Sequence, residues 1–289
     1  GWIKNFFDKD SDKVNIRSIL KLANFKGNHR KVLISEKEAL VASANPHDPS
    51  AHHSNVTMVF RGKSMEDLIK SESIFFDKLP DAIENFKAEE VTSPYNLKVI
   101  TEGKIYDEIS KNIKETKKGD EINLGIFYLS EFRILRELGE ASKRGVDVKI
   151  IADLNKDAFG LEKNGSPNRP ALSELKEDYP DINIRWYQTS GEQFHTKFIY
   201  FDFKDKNPLA ILGSANYTRR NLDNFNLETN LAVEMEKDSP MAKEMKDYYA
   251  RIWNNMGGDY TLPLEDFYEK GFILRILWKI QEKTGLCTW

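Results

Sequence analysis

Apolar positions recur along this chain with two periods, one typical of helices and one typical of strands. Ile105, Ile109 and Ile113 are spaced four residues apart, which predicts a helix over residues 104–116. Val146–Ala152 has apolar residues at Val146, Val148, Ile150 and Ile151, which predicts a buried strand. The same patterns predict further strands at 55–61, 97–100, 121–128 and 182–187, and further helices at 64–76, 130–144, 172–178 and 239–254.

Local end signals define one of these helices. Ser130 is a favourable N-cap residue for the helix over 130–144, because its hydroxyl can accept a bond from an amide of the first turn. Gly145 suits the position after the last turn, where the backbone commonly becomes left-handed. Together the two residues predict where this helix begins and ends.

Turn-forming residues and changes of pattern divide the chain into three predicted parts. Thr92-Ser93-Pro94 marks the junction between a first half, residues 1–92, and a second half, residues 93–257. Residues 258–289 are a predicted amphipathic tail. Within it, Phe267–Gln281 carries large apolar residues, a Trp and three basic residues, which favours a helix whose apolar stripe packs on the domain. The alternative is an amphipathic helix lying at a lipid interface.

Composition narrows the class of protein. The 289 residues are 40% hydrophobic and 31% charged, which supports a folded core with a well-solvated surface. The net charge of −3 argues against the global positive field of a nonspecific DNA-binding protein. The single cysteine, Cys287, excludes an intramolecular disulfide and a cysteine-based metal site. No apolar run approaches the ~18–20 residues of a membrane span, and no signal-peptide pattern opens the sequence.

The most informative pattern in the chain occurs twice. In each copy a His and a Lys lie two residues apart, an acidic residue follows the Lys, and a small-Ser-Ala-Asn tetrad comes next. Two copies far apart in the chain predict two similar half-sites that meet at an interface. The first copy is His29-Arg30-Lys31, Glu36 and Ala42-Ser43-Ala44-Asn45, and the second is His195-Thr196-Lys197, Asp202 and Gly213-Ser214-Ala215-Asn216.

The residue types of this motif suit chemistry on a phosphodiester. Residues two apart in a strand point to the same side, so strands at 29–35 and 195–201 would aim each His and Lys into one pocket. Two Lys and two Asn side chains would place positive charge and hydrogen-bond donors around a phosphate. One His can attack phosphorus, and the other can protonate the leaving oxygen and later deprotonate water or an alcohol. Because the two Lys supply the positive charge, we expect neither a metal nor a cofactor.

This arrangement resembles the repeated signature of the phospholipase D superfamily, His-x-Lys-x4-Asp followed by Gly-Ser-x-Asn. The second copy fits the signature throughout, whereas the first has Glu36 in place of Asp and Ala42 in place of Gly. Residues 43–48 and 213–220 look most like bacterial phospholipase D-like and cardiolipin-synthase-like proteins. The resemblance implies an α/β fold of two pseudo-repeated phospholipase D-like halves, with mixed β-sheets flanked by helices and an active site between the halves.

The resemblance also implies roles for single residues. It makes His29 the nucleophile and His195 the general acid and base, with an acidic residue beyond the second tetrad to orient a catalytic His. Glu228 has that place in the sequence, and we expect it to contact His195. The candidate catalytic residues are His29, Lys31, Asn45, His195, Lys197, Asn216 and Glu228, and the candidate substrate-binding residues are Ser43, Ser214, His53 and Arg219.

The two halves differ at the position of this carboxylate. Aligning Ser54-Asn55-Val56 with Thr229-Asn230-Leu231 places His53 opposite Glu228, so the first half lacks an acidic residue there. The difference predicts separate tasks for the two motif His residues. An inactive first half, with His195 alone functional, is the alternative.

Two other clusters have alternative interpretations. Residues 47–53 contain three His and one Asp, but their spacing matches no common metal-ligand motif and favours a polar active-site loop. Arg219 and Arg220 can hold a phosphate by bidentate contacts, or they can begin a helix and form surface ion pairs.

The first half is short for this fold. Only 28 residues precede His29, far fewer than precede His195 within the second half. We therefore expect a first half that is N-terminally truncated, with a segment missing from this chain that can carry strands, helices and a membrane anchor. A permanently reduced first half is the alternative.

Three functions compete. The first is a metal-independent phosphodiester hydrolase or phosphatidyltransferase that acts on phospholipids through a phospho-histidine, in a membrane-associated or cytoplasmic bacterial protein. The second is a nuclease-type phosphodiesterase, and the third is a noncatalytic lipid-binding fragment. The acidic net charge, the subfamily resemblance and the aromatic tail favour the first, with a phospholipid and a membrane surface as partners.

Overall fold

The computed structural model describes residues 27–88, 93–158, 161–162 and 164–285, so residues 1–26 and the predicted junction at Thr92 lie outside the described residues. The strands are Gly27–Asn28 (β1), Val32–Ile34 (β2), Ala39–Ala42 (β3), Thr57–Phe60 (β4), Tyr95–Thr101 (β5), Glu121–Ile126 (β6), Asp147–Asp153 (β7), Asp157–Ala158 (β8), Leu161–Glu162 (β9), Asn183–Tyr187 (β10), Lys197–Asp202 (β11), Leu209–Gly213 (β12), Asn226–Leu227 (β13), Thr229–Met235 (β14) and Thr261–Pro263 (β15). The helices are Ser64–Ser73 (α1), Asp81–Glu84 (α2), Gly103–Glu115 (α3), Phe132–Lys143 (α4), Asn168–Asp178 (α5), Arg219–Leu222 (α6), Pro240–Trp253 (α7) and Phe272–Thr284 (α8), with 3-10 turns at Asp48–His52 and Leu264–Phe267.

An eight-stranded mixed sheet lies at the centre of the fold. Its strand order is β15-β10-β7-β6-β11-β12-β14-β5. The neighbours β10, β7 and β6 run parallel, and the remaining neighbours are antiparallel. The expectation of an α/β fold with a mixed sheet flanked by helices is confirmed.

Alternate residues of this sheet point to opposite faces, and each face has its own core. Ile109 of α3, Leu138 of α4 and Leu172 of α5 pack in one cluster on the first face. Val41 of β3 and Tyr249 of α7 belong to the cluster on the other face. The apolar periodicity of the helices therefore reports the side that each helix turns to the sheet.

A small antiparallel sheet, β2-β3-β4, packs on the second face. Its middle strand, β3, contacts β12 and β14 of the main sheet. The last residues of β3 and β12, Ala42 and Gly213, are also the first residues of the two Ser-Ala-Asn tetrads. The contact between the sheets therefore brings the two tetrads towards each other.

The strands that carry the two motifs begin later than predicted. The first begins at Val32 instead of residue 29, and the second begins at Lys197 instead of residue 195. His29 lies before its strand because its backbone bonds to the segment at Leu227 and not to β3. The His29 amide donates to the Leu227 carbonyl oxygen at 3.0 Å, outside the sheet that contains β2.

Helix α4 ends as predicted but is capped by a different residue. The Glu131 side chain accepts a bond from the Ile134 amide at 2.9 Å, so Glu131 is the N-cap. The Ser130 hydroxyl is engaged elsewhere, since it donates to Glu282 Oε2 of α8 at 2.8 Å. Gly145 has a φ of +86°, which confirms its predicted place after the last turn.

The C-terminal tail packs on the domain along one side only. Strand β15 extends the main sheet by pairing with β10. In α8, Trp278 and Glu282 are buried against the domain, while the opposite face is exposed. Across the described part of the chain, no helix combines the length and apolar character needed to cross a bilayer.

Gly213 lies where β12 passes closest to β14. Its φ is +156°, and an added Cβ would lie 2.4 Å from the backbone oxygen of Thr229. Gly213→Ala should therefore lower the free energy of unfolding by about 2–4 kcal/mol, because the backbone of β14 cannot move aside cheaply. Urea denaturation measures this loss.

Gly191→Ala is the matched control for that substitution. Gly191 also has a positive φ, +103°, but no atom lies within 4 Å of the added Cβ. We expect it to lose only about 1 kcal/mol, from the backbone conformation alone. Equal losses in the two variants would contradict the steric argument.

Candidate active site

Strand β1 brings the first His beside Glu228. Within the parallel pairing of β1 with β13, Asn28 lies opposite Leu227. His29 and Glu228 are the next residues on the two sides, so the register places them together. His29 Nδ1 is 2.8 Å from Glu228 Oε1 and 3.1 Å from Oε2.

This contact determines which nitrogen of His29 carries the proton. Glu228 is fully buried, and its Oε2 also accepts a bond from the Ser214 hydroxyl at 2.5 Å. A carboxylate only accepts hydrogen bonds, so Nδ1 of His29 is the donor. In the neutral form of the ring the lone pair therefore lies on Nε2, and the side chain is 31% exposed. A nitrogen of this kind can act as a nucleophile.

The prediction that Glu228 orients His195 is wrong. His195 Nδ1 lies 3.2 Å from Asn55 Oδ1 instead. The Asn55 amide group donates to the Ser50 and His53 carbonyl oxygens at 2.8 and 3.0 Å, so its own oxygen faces the His195 ring. Each motif His is thus held by a residue that follows the tetrad of the other motif.

The backbone explains this exchange of partners. The Ser54 amide donates to the Gln193 carbonyl oxygen at 2.9 Å, and the Thr196 hydroxyl donates to the Ser54 carbonyl oxygen at 3.1 Å. The segment after the first tetrad therefore runs beside His195. The segment after the second tetrad runs beside His29 in the same way, through the pairing of β13 with β1.

The hydroxyls of the two tetrad serines make matching bonds. Ser43 Oγ accepts from the Val56 amide at 2.9 Å, and Ser214 Oγ accepts from the Thr229 amide at 3.0 Å. Each hydroxyl then donates to the side chain that holds a motif His. The predicted substrate-binding serines are therefore fully buried behind the two His partners.

The matching serine bonds align Val56 with Thr229, two residues away from the alignment predicted from the sequence. Asn55, which precedes Val56, is the counterpart of Glu228, and His53 is not. The connection from the tetrad serine to this partner is two residues shorter in the first half, so matching Asn55 with Asn230 in sequence was wrong. The first half does lack the carboxylate, since an amide takes its place.

The two Lys side chains are buried in the same way. Lys31 Nζ donates to the His29 carbonyl oxygen at 2.9 Å, and Lys197 Nζ donates to the His195 carbonyl oxygen at 3.0 Å. Burial lowers the pKa of Lys31 to about 8, although Glu228 opposes this shift. Burial also lowers the pKa of Lys197 well below its usual value, and the charge of Lys31 adds to the effect. Buried cations of this kind favour a bound anion.

His195 is held neutral by its surroundings. It is only 4% exposed, and the ring of Phe127 packs 4.8 Å from its own. Burial lowers the pKa of His195 well below 6.5, and the charges of Lys197 and Lys31 lower it further. A bound phosphate would offset these charges and make protonation of His195 easier.

The two tetrad amides lie at the ends of their strands. The Asn45 backbone amide donates to Ser50 Oγ at 2.9 Å, which ties its loop to the 3-10 turn. Asn216 is buried, and its Oδ1 has no hydrogen-bond partner among the residues that the structure describes. Since buried amides are normally paired, this atom is suited to contact a ligand.

The structure separates the remaining candidates. His53 lies beside the site, with its ring centroid 6.1 Å from that of His195 and its Nδ1 accepting from the Gln193 amide at 3.1 Å. Arg219 lies against α8, where its guanidinium pairs with Asp223 at 3.2 Å and with the Lys283 carbonyl oxygen. Its contacts fit the alternative of a helix start engaged in ion pairs.

Acidic residues support the site from further away. Asp202, at the far end of β11, forms an ion pair with Lys246 of α7 at 2.7 Å. Asp153, which the site prediction omitted, accepts from the Phe194 amide at 2.7 Å and so anchors the residue before His195. Its place at the carboxyl end of the buried strand β7 is the sequence signal for such a residue.

Among the described residues, no group of three or more His, Cys, Asp and Glu side chains is arranged to hold a metal ion.

The second motif lies within a segment that matches a known protein family. Residues 109–253, half of the chain, match a family model described as cardiolipin synthase, PLD-like domain. The chain belongs to the PLD-like family. The match includes His195, Lys197 and Asn216, while the motif at His29 precedes it.

Two of three similar solved structures share the fold at low identity. Phosphatidylserine synthase from Haemophilus influenzae Rd KW20 has a TM-score of 0.63 at 13% identity, covering 91% of this chain and 69% of that chain. Polyphosphate kinase from Porphyromonas gingivalis has a TM-score of 0.52 at 14% identity, covering 95% of this chain and 44% of that chain. Nuc, a phospholipase D family member from Salmonella typhimurium, is 20% identical over 55% of this chain and 95% of its own, with a TM-score of 0.44. No curated protein sequence matches this chain.

Anion binding should weaken as pH rises through about 8. Lys31 loses its proton in that range, so the PLD-like site then holds less positive charge, whereas at lower pH Lys31 stays charged. Isothermal titration with tungstate, which stays a dianion throughout, should give a dissociation constant about 10-fold higher at pH 9.5 than at pH 7. Equal affinities at the two pH values would contradict the assignment of Lys31 to the anion site.

Proposed function

We propose that this PLD-like protein is a phosphodiester hydrolase or phosphatidyltransferase that acts on phospholipids through a covalent phospho-histidine on His29. The observation that carries the proposal is the unequal pairing of the two His residues. His29 contacts a buried carboxylate, whereas His195 contacts a neutral amide. Unequal surroundings give two residues of one type two different tasks.

His29 is the proposed nucleophile. Its Nε2 lone pair attacks phosphorus, an N–P bond forms, and the P–O bond to the leaving alcohol breaks. The imidazole then carries positive charge, and Glu228 at Nδ1 stabilises that charge. The amide of Asn55 provides no comparable stabilisation for His195, which favours His29 as the residue that becomes covalently modified.

His195 is the proposed general acid and base. When the bound phosphate offsets the Lys charges, the pKa of His195 rises, and its ring can deliver a proton to the leaving oxygen. The neutral ring then takes a proton from water or an acceptor alcohol, whose oxygen attacks phosphorus and releases His29. The phosphate oxygens are bound meanwhile by Lys31, Lys197, Asn45 and Asn216.

The exposed face of α8 favours a phospholipid as the substrate. Folded monomers rarely expose a contiguous stripe of large apolar side chains unless it contacts a partner. Lysines at its rim suit an anionic bilayer, in which apolar side chains enter the interface and lysines reach the headgroups. The apolar stripe consists of Phe272, Ile273, Ile276, Leu277 and Ile280, and the exposed lysines are Lys270, Lys279 and Lys283.

The same helix lies close to the proposed site. Arg219, three residues after Asn216, donates its backbone amide to Glu282 Oε1 of α8 at 2.5 Å. Three residues span at most roughly 11 Å. Glu282 lies on the buried face of α8, so a membrane against the exposed face would lie one helix diameter, ~10 Å, further from the tetrad of the second motif.

Cleavage of fluorescent phosphatidylglycerol vesicles, run beside single-stranded DNA with EDTA present, tests the reaction. We expect lipid cleavage, and a loss of about 10³-fold or more in both His29→Ala and His195→Ala. Because His195→Ala keeps the nucleophile, it should accumulate a phosphatidyl adduct on His29, which mass spectrometry locates.

His52→Ala is the control, because His52 is an exposed His of the neighbouring turn and should keep full activity. An adduct on His195 in the His29→Ala protein would reverse the two roles. Cleavage of DNA without cleavage of lipid would refute the lipid substrate.

Sedimentation with phosphatidylglycerol vesicles tests the membrane contact. The double variant Ile273→Ser, Ile280→Ser should bind about 10-fold more weakly, because two exposed side chains no longer enter the interface. Leu33→Ser, Val59→Ser is the matched control, since these side chains are similarly exposed on the small sheet. Equal vesicle binding by the two double variants would rule α8 out as the contact.

A further inference from the structure

One carboxylate outside the duplicated motif joins both sides of the His29–Glu228 pair. Glu102 lies in the turn between β5 and α3, and its Oε1 accepts from Arg30 Nη2 at 2.6 Å and from Arg30 Nε at 3.2 Å. The same oxygen accepts from the Glu228 backbone amide at 3.3 Å. The Glu102 amide in turn donates to the Glu228 carbonyl oxygen at 3.3 Å.

Arg30 is the residue between the motif His and Lys, and it is fully engaged. Its side chain is only 3% exposed. Besides Glu102, it donates to Glu72 Oε1 at 2.8 Å and to the Ser71 carbonyl oxygen at 3.0 Å, and it lies over the ring of Phe75. A planar guanidinium held by several partners has little freedom to move.

The position of His29 needs such an anchor. On its N-terminal side the chain is held by the short pairing of β1 with β13, and on its C-terminal side β2 begins only at Val32, in a different sheet. After His29, backbone pairing resumes at Lys31, whose carbonyl oxygen accepts from the Ala42 amide at 3.0 Å, so Arg30 lies between the two pairings. The bond from Arg30 to Glu102 fixes the residue directly after His29. The bond between Glu102 and the Glu228 amide connects this residue to the segment that contacts His29.

The backbone of Glu102 is consistent with this role. Its φ of +51° and ψ of −133° are unfavourable for a residue with a Cβ. Gly103, the next residue, donates its amide to Asn224 Oδ1 at 2.7 Å, which holds the turn in place. Strained backbone of this kind persists where the surrounding contacts determine it, and it is common beside functional sites.

We infer that Glu102 is a positioning residue, which sets the His29 imidazole against the Glu228 carboxylate through Arg30. Its effect on turnover rests on the proposed function, in which His29 is the nucleophile. Its effect on the geometry of the pair does not. A small displacement of a reacting group is enough to slow a reaction about 10²-fold.

Glu102→Gln tests the inference, and Glu108→Gln is its matched control. Glu108 lies on α3, the helix that Glu102 precedes, pairs with Lys98 at 2.8 Å, and is 18% exposed, against 20% for Glu102. The imidazole nitrogen chemical shifts of His29, measured by NMR, report the bond from Nδ1 to Glu228 without any substrate. Glu102→Gln should change these shifts and lower kcat 10- to 100-fold with KM within about 3-fold, while Glu108→Gln changes neither.

Arg30→Lys is the second variant, because it keeps the charge but loses the two-pronged contact with Glu102. It should change the His29 shifts in the same direction, which keeps the test decisive if Glu102→Gln does not fold. Unchanged His29 shifts in a folded variant would overturn the inference. If the His29 shifts change in these variants but the wild-type protein cleaves no phosphodiester, the positioning role is upheld and only the proposed function is rejected.

Discussion

The buried contact between His29 and Glu228 is the interaction on which the rest of the site depends. Two lysines, Lys31 and Lys197, lie buried nearby, and burial lowers the pKa of both. Glu228 opposes that shift in each. Removing an ion from water costs several kcal/mol unless an opposite charge offsets it. One fully buried carboxylate therefore orients a motif His and also helps to keep the lysines charged for an anion.

A carboxylate on one side and an amide on the other distinguish the surroundings of the two motif His residues. The tetrad serines, Ser43 and Ser214, bond their surroundings in the same pattern. The Ser43 hydroxyl donates to Asn55, and the Ser214 hydroxyl donates to Glu228. Burial and the two lysines lower the pKa of His195, and the Asn55 amide, unlike a carboxylate, adds no negative charge that would raise it. In the proposed reaction this ring exchanges a proton.

The fold by itself leaves the substrate open. Phosphatidylserine synthase and polyphosphate kinase share it with this chain at 13% and 14% identity, and proteins of one fold commonly catalyse different reactions. A phospholipid is favoured instead by a surface, the exposed apolar stripe and lysines along α8, which Glu282 connects to the segment after the second motif. The net charge of −3 agrees with a substrate other than nucleic acid.

The sequence by itself determined the main strands and helices, because apolar periodicity reports which side of an element is buried. The duplicated motif likewise selected the His, Lys and Asn side chains of the candidate site. Only the tertiary structure decided the partner of each His. Residues 29 and 228 meet through a two-residue pairing that no local pattern predicts, and an alignment two residues out of register concealed Asn55. A contact between segments so far apart depends on how the whole chain folds, whereas periodicity depends only on near neighbours.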